Sequence, residues 1–330
     1  MSVSVRDVAE RAGVSVGTVS NVLNRPDRVT PATLAKVRDA IDALGFVRND
    51  AARQLRAGSS RAIGLVVIDA YNPFFGEVSR GAEDRAGDDG LIVLLANSDE
   101  NPDRERLALE LFAEQRVKGL IISPADGVDE QLAQLRRQRI PVVLIERTTT
   151  DPEVPSVAVD NLAGGRLAVE HLVERGRRRI VFAAGQLELA QVRDRLTGAR
   201  AAAGAVPLEV MDTGGLSVGH GRTVGDAIAA LAPDDRPDAV FAVNDLIALG
   251  VVQGLRTAGL RVPDDVAIVG YDDIDFAASA EVPLTSVRQP GARIGHTAVD
   301  LLLSLIDETP IAEPHVTFQP ELIVRASSGD

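Results

Sequence analysis

Apolar and polar positions follow two different rhythms along this chain, and the change falls near residue 60. Before it, apolar residues recur at helical spacing. Ser4 opens a segment whose third position is Asp7 and whose stripe is Val8, Ala9 and Ala12, the pattern of a capped amphipathic helix. Gly13 ends it. Ser15 then caps a second helix with Val19, Val22 and Leu23 inward, and Thr30 with Pro31 opens a third carrying Leu34, Val37, Ile41 and Leu44. Two short helices separated by a glycine-containing turn, with a third closing the core, make a helix-turn-helix pattern. With its apolar side used up, the second helix turns Val16, Gly17, Thr18, Ser20 and Asn21 outward, a small-residue face able to lie deep in a major groove.

From Ala62 the rhythm changes to apolar runs separated by amphipathic segments: AIGLVVI, LIVLLAN, GLIISP and PVVLIE, then a second series at SVAVD, RIVFAAG, DAVFAVND and DVAIVGYDD. Runs of this kind, alternating with helices, predict parallel sheets covered by helices, and two series predict two α/β lobes. Ligands of such sheets gather beyond the carboxyl ends of the strands. The polar and aromatic residues there are Asn72, Phe74 and Phe75; Glu146 and Arg147; Asp160 and Asn161; Asn244 and Asp245; and Asp272 and Asp273. Arg195 opens RLTG and Gln289 lies in the segment SVRQP. Carboxylates, amides and aromatic faces together suit a polyhydroxylated ligand, whose hydroxyls both donate and accept while its C–H faces pack on rings. Each residue also has an ordinary reading: an Asp at a strand end caps the next helix, and a Phe pair fills a core.

Charge sharpens the division at residue 60. The whole chain of 330 residues carries −13, yet residues 1–60 hold nine Lys and Arg against six Asp and Glu, leaving −16 on the remainder. A basic end can meet phosphates while an acidic body resists indiscriminate adhesion to nucleic acid. There is no cysteine, so thiolate chemistry and disulfides are excluded. No apolar run reaches the roughly 18 residues of a membrane span, and no secretory leader is evident, so the expected location is the cytoplasm, without a membrane partner. The four histidines sit in unrelated contexts and no phosphate loop or nucleophile elbow is present. Catalysis, a cofactor and a metal are therefore not expected. A non-regulatory sugar-binding protein would share the body but needs export and no helical head.

The head carries a resemblance. VRDVAERAGVSVGTVSNVLN, followed by RVTPATLAKVRDAIDALGFVRNDAARQLRAG, resembles the head and hinge of the lactose repressor (LacI/GalR) family of transcription factors. The resemblance implies that Val16, Gly17 and Asn21 face bases, with Asn21 the direct reader, while Ser15, Thr18, Ser20 and Asn24 contact phosphate or cap the helix. Ser4 and Arg28 complete the expected contacts from residues 1–48. Residues 49–60 are expected to be hinge helix and linker, with Leu55 a minor-groove wedge and Arg53 and Arg56 near phosphates. Nine residues, NDAARQLRA, are too few for a helix stable on its own, so the hinge is expected to fold on DNA.

From about Ile63 to Arg325 the body resembles the periplasmic sugar-binding fold, and NPFF at 72–75 resembles the aromatic segment of ribose-binding proteins. What this implies is an effector site made from Asn72, Phe74, Phe75, Arg147, Asp160, Arg195, Asn244, Asp245, Asp272 and Gln289. Leu216 departs from relatives that place an aromatic there. The implied body, residues 61–330, has an N-lobe at about 61–159 and 291–318 and a C-lobe at about 160–290 and 319–330. The expected protein is a homodimeric repressor of a near-palindromic operator, controlled by a sugar-like effector; activation at some promoters is the alternative.

Overall fold

The computed structural model describes residues 3–46, 60–125, 129–149, 151 and 153–329, which divide into a small helical unit and a large α/β unit separated at residues 59 and 60. The expected hinge helix, with Arg53, Leu55 and Arg56, lies outside the described residues.

The head is three helices, α1 (Val5–Ala12), α2 (Val16–Asn24) and α3 (Pro31–Leu44), with a 3-10 turn at Pro26–Arg28. Their ends are set chemically. Ser4 and Asp7 form a reciprocal capping box, Gly13 closes α1 in the left-handed region at φ 65°, Ser15 accepts from the Thr18 amide, and Thr30 caps α3 ahead of Pro31. Val8, Ala9, Val19, Val22, Val37 and Ala40 are buried together, with Leu23, Leu34, Ile41 and Leu44 against them.

The body alternates strand and helix. Its first sheet takes β1 (Ala62–Val67), β2 (Ile92–Asn97), β3 (Leu120–Ile122), β4 (Val142–Ile145) and β5 (Ser156–Val159), linked by α4 (Pro73–Asp88), α5 (Pro102–Glu114) and α6 (Asp129–Arg137). The chain then crosses to α7 (Asn161–Glu174), β6 (Ile180–Ala184), α8 (Ala190–Ala203), β7 (Leu208–Asp212), α9 (Val218–Ala230), β8 (Ala239–Ala242), α10 (Asp245–Thr257), β9 (Ala267–Asp272), α11 (Asp275–Ser279) and β10 (Thr285–Arg288). It returns for α12 (Gly291–Ile306) and β11 (His315–Phe318), and crosses a third time to β12 (Glu321–Ile323).

The sheet orders are β11-β5-β4-β3-β1-β2 and β12-β10-β9-β8-β6-β7. All pairings are parallel except β10 with β12. Helices cover both faces, which is why β1, β4, β6, β8 and β9 are buried along their whole length and read as unbroken apolar runs. The three crossings join the lobes at the carboxyl ends of β5, β10 and β11, and this puts the strand-end side chains of both sheets around one cleft.

Candidate functional site

In the head, the outward face of α2 is small and largely uncommitted. Val16 is 46% exposed, and Gly17 and Asn21 are exposed beside it. Asn21 makes no side-chain hydrogen bond among the described residues, so its amide is free to pair with a base edge. Its neighbours hold one another: Ser15 Oγ lies 2.9 Å from Thr18 Oγ1, and Asn24 Nδ2 donates to the Ser20 carbonyl at 2.9 Å and lies 3.2 Å from Ser20 Oγ. Asp7 accepts from the Ser4 amide at 2.7 Å and from Ser4 Oγ at 2.8 Å, and these bonds, the amide's first, hold its carboxyl below its usual range. Arg28 is exposed in the 3-10 turn.

The second site lies between the lobes of the body. A cavity of about 30 Å³ is lined by Phe74, Phe75, Glu146, Gln191, Arg195, Asn244, Asp272 and Gln289, with Ile68, Leu189, Val192, Leu216 and Val243 filling the apolar wall. That volume holds a water molecule or two, so a monosaccharide enters only when side chains or lobes part. Asn72 caps α4, which begins with Pro73, and so sets Phe74 and Phe75 at the helix start with their rings edge to face, 5.1 Å apart. The Asn72 amide also reaches across the cleft: Nδ2 donates to Asp272 Oδ2 at 2.8 Å, and Gln289 Nε2 donates to Asp272 Oδ1 at 2.8 Å. Asp272 ends β9 at φ 104°, a left-handed conformation that a non-glycine residue adopts only under tertiary constraint.

Glu146 and Gln289 carry the unspent hydrogen-bonding capacity. Glu146 Oε1 and Gln289 Oε1 are buried and without a hydrogen-bond partner among the described residues. Arg195 Nη2 is 4.0 Å from Glu146 Oε2. Burial pushes the Glu146 carboxyl up to about 7, with Arg195 opposing the rise and Asp272 adding to it. Burial likewise raises Asp272, against Arg195 and the two amides that stabilise its ionised form. Two unsatisfied buried acceptors ask for ligand donors.

Of the residues expected at this site, the structure brings together Phe74, Phe75, Arg195, Asn244, Asp272 and Gln289, with Asn72 behind Asp272. It places three others away from the cavity. Arg147 is half-buried beside a separate pocket with Leu132, Arg136, Thr148 and Thr149, because Glu146, at φ 61°, turns the chain so that its own side chain takes the cleft. Asp160 caps α7, accepting from the Ala163 amide at 2.9 Å. Asp245 is wholly buried, accepting from Ser286 Oγ at 2.7 Å and the Ile274 amide at 2.9 Å, and burial beside Asp272 holds its carboxyl well above the usual range. Gln191, Leu189 and Val192 were not expected; they follow β6, on the same rim as the other strand ends, and nothing in their residue types announces it.

Residues 4–49 match the lacI family of bacterial regulatory proteins, and residues 169–328 match a periplasmic binding protein-like domain. An HTH-type transcriptional repressor PurR of Aliivibrio fischeri is 32% identical over 330 residues, spanning 98% of each chain. The chain belongs to the LacI family. As a LacI-family protein it is a DNA-binding transcriptional repressor with a ligand-binding body, and not an enzyme. Among solved structures it is similar to the Lac repressor dimer bound to operator and the anti-inducer ONPF, with 28% identity, a TM-score of 0.82 and full coverage of both chains. It is also similar to a putative ribose operon repressor from Burkholderia thailandensis, at 35% identity and a TM-score of 0.70, over 80% of this chain and 99% of that one. Among the described residues, no helix of this LacI-family repressor is long and apolar enough to cross a membrane.

Proposed function

We propose that this LacI-family repressor acts in the cytoplasm as a homodimer on a near-palindromic operator, and that a small, hydroxyl-rich, sugar-like effector in the interlobe cavity sets its DNA affinity. The observation that carries the effector reading is the pair of buried, partnerless acceptors, Glu146 Oε1 and Gln289 Oε1, in a cavity walled by Phe74 and Phe75. Hydroxyls satisfy those acceptors, Arg195 and Asn244 offer polar contacts beside them, and the rings take the C–H faces. The operator reading rests on the small exposed face of α2, where Asn21 reads a base edge and Val16 meets a thymine methyl. Dimerisation is supported by apolar side chains left exposed on edge strand β2 and on α5: Ile92, Leu95, Leu107 and Leu111 are each about half exposed or more. Two-fold pairing of bodies matches the two-fold symmetry of a palindrome.

The test is a binding selection from fragmented genomic DNA with the full-length protein, repeated with pentoses, hexoses and their phosphates, and with the size of the complex measured. The expected result is a shared near-palindrome of about 16 to 20 base pairs, two protein chains per site, and retention that changes with one sugar. Sequence-independent retention that vanishes at modest salt would remove the operator reading, because it is the behaviour of a simple polycation. Retention insensitive to every sugar would remove the effector reading alone.

A further inference from the structure

Arg195 is the cation of the effector cavity, and its side chain is held with unusual completeness. Its Cζ lies 3.6 Å from the centre of the Tyr271 ring. Nε donates to Asn161 Oδ1 at 2.9 Å and Nη1 to the Val243 carbonyl at 2.8 Å. Tyr271 Oη donates to the same Asn161 oxygen at 3.1 Å, and Asn161 Nδ2 donates to the Val159 carbonyl at 3.2 Å. Val159 ends β5 and Asn161 begins α7, so this amide sits on the first crossing between the lobes. Nη2 is the nitrogen turned toward Glu146.

The helix that carries Asn161 is shaped for this seat. A Cβ on Gly164 would lie 2.2 Å from Tyr271 Oη, and one on Gly165 would lie 1.9 Å from the Arg195 carbonyl oxygen. Glycine at both positions is therefore what lets the phenol reach Asn161 and lets α8 bring Arg195 against α7. Tyr271 is wholly buried, with its phenol pushed upward by burial, so it stays a neutral O–H donor.

We propose that Asn161 and Tyr271 are positioning residues for Arg195: the ring and the shared amide oxygen fix the guanidinium so that Nη2 meets the effector, and Asn161 fastens that guanidinium to the first interlobe crossing. The proposal rests on the effector reading above. Displacement of the guanidinium by a ligand then pulls on the crossing at residues 159–161, and a displacement of the crossing reorients Arg195. This is the two-way coupling that thermodynamic linkage demands of an allosteric site.

The test uses full-length protein labelled with 15N-arginine, with Arg195→Lys identifying the Arg195 Nε–Hε signal. In the wild type that proton is expected to resonate upfield, under the ring current of Tyr271, and to exchange slowly with water. Tyr271→Phe, which keeps the ring and loses the O–H, is expected to keep the upfield shift and exchange at least about fivefold faster. D-ribose is the effector probe. Its affinity is expected to fall about five- to tenfold in Tyr271→Phe; in an Arg195→Lys background the Phe substitution is expected to remove nothing further. Unchanged Hε exchange in Tyr271→Phe, or an equal loss of ribose affinity in both backgrounds, overturns the proposal. If D-ribose moves no wild-type signal, D-ribose is not the effector, and the Hε exchange rate alone decides the positioning.

Discussion

Gly17 sits in the first turn of α2 with room around it: an added Cβ would lie 3.6 Å from Ser15 Oγ, an ordinary contact. Nothing within the head therefore requires glycine, whose backbone freedom costs a helix up to about 1 kcal/mol relative to alanine. Gly17→Ala is expected to stabilise the protein by a few tenths of a kcal/mol to about 1 kcal/mol, while weakening operator binding at least about tenfold through lost approach to the groove. Thermal unfolding and operator titration check the two halves separately; unweakened operator binding would show that DNA does not approach here. Neighbouring residues also explain what the sequence could and could not disclose. Glu146 and Arg147 both follow β4, and only the left-handed turn at Glu146 decides which enters the cleft. Asp245 reads like a ligand residue until Ser286 and the Ile274 amide, far away in sequence, are seen to use both its oxygens. Asn161 stood out only as a polar residue at a strand end and Tyr271 not at all, since their roles around Arg195 arise from contacts across 110 residues.

Helices α4 and α12 meet closely enough that side chains are excluded from the contact. A Cβ on Gly81 would fall 1.9 Å from the Ala292 carbonyl oxygen, and one on Gly295 would fall 1.9 Å from that of Val78. Gly81→Ala is expected to destabilise the body by about 1 to 3 kcal/mol through forced separation of the two helices. Gly87→Ala, in the same helix with nothing within 4 Å of the new atom, is expected to be neutral or stabilising by up to about 1 kcal/mol. Denaturant unfolding of the two variants should move in opposite directions; equal losses would mean that helix propensity, and not contact, governs both. The three head helices and strands β1 to β6, β8 and β9 were legible from capping residues and apolar rhythm, because those signals are local, whereas β7, β10 and β11 stood out in neither. The partnership of α4 with a helix more than 200 residues later has no local signal, and β12, three residues long and antiparallel, is too short to carry a rhythm.

For the molecule as a whole, the raised carboxyls set the response of stability to pH. Glu146 and Glu100 are each pushed up to about 7, Glu100 by burial and by Asp69, Asp99 and Glu188 around it. Between the ordinary glutamate range and pH 7 the folded chain therefore holds protons that the unfolded chain has released. Stability falls as pH rises through that window and the penalty is complete above it. Asp7, Asp151 and Asp265, held below their usual range by hydrogen bonds, act oppositely and withdraw stability only as pH drops through their lowered values. The melting temperature is expected to be higher at pH 5.5 than at pH 8, and Glu146→Gln is expected to flatten that slope; a melting temperature that climbs toward pH 8 would contradict the burial of Glu146 as an acid.

The third crossing of the chain has a consequence for how the protein is made. The first sheet ends in β11, whose residues His315–Phe318 pair with β5, and α12 packs on that sheet from residues Gly291–Ile306. By the time β5 has left the ribosome, the lobe it belongs to still lacks an edge strand and a covering helix, and it stays unfinished until Phe318 has been synthesised. The second lobe, by contrast, draws β6 to β10 from one continuous stretch and lacks only its outermost strand, β12. Order of synthesis and order of completion are thus reversed: the lobe begun first cannot close before the lobe begun second has most of its sheet, and a chain cut short before residue 291 leaves both an uncovered apolar face and an open strand edge, the two features that invite aggregation of nascent protein.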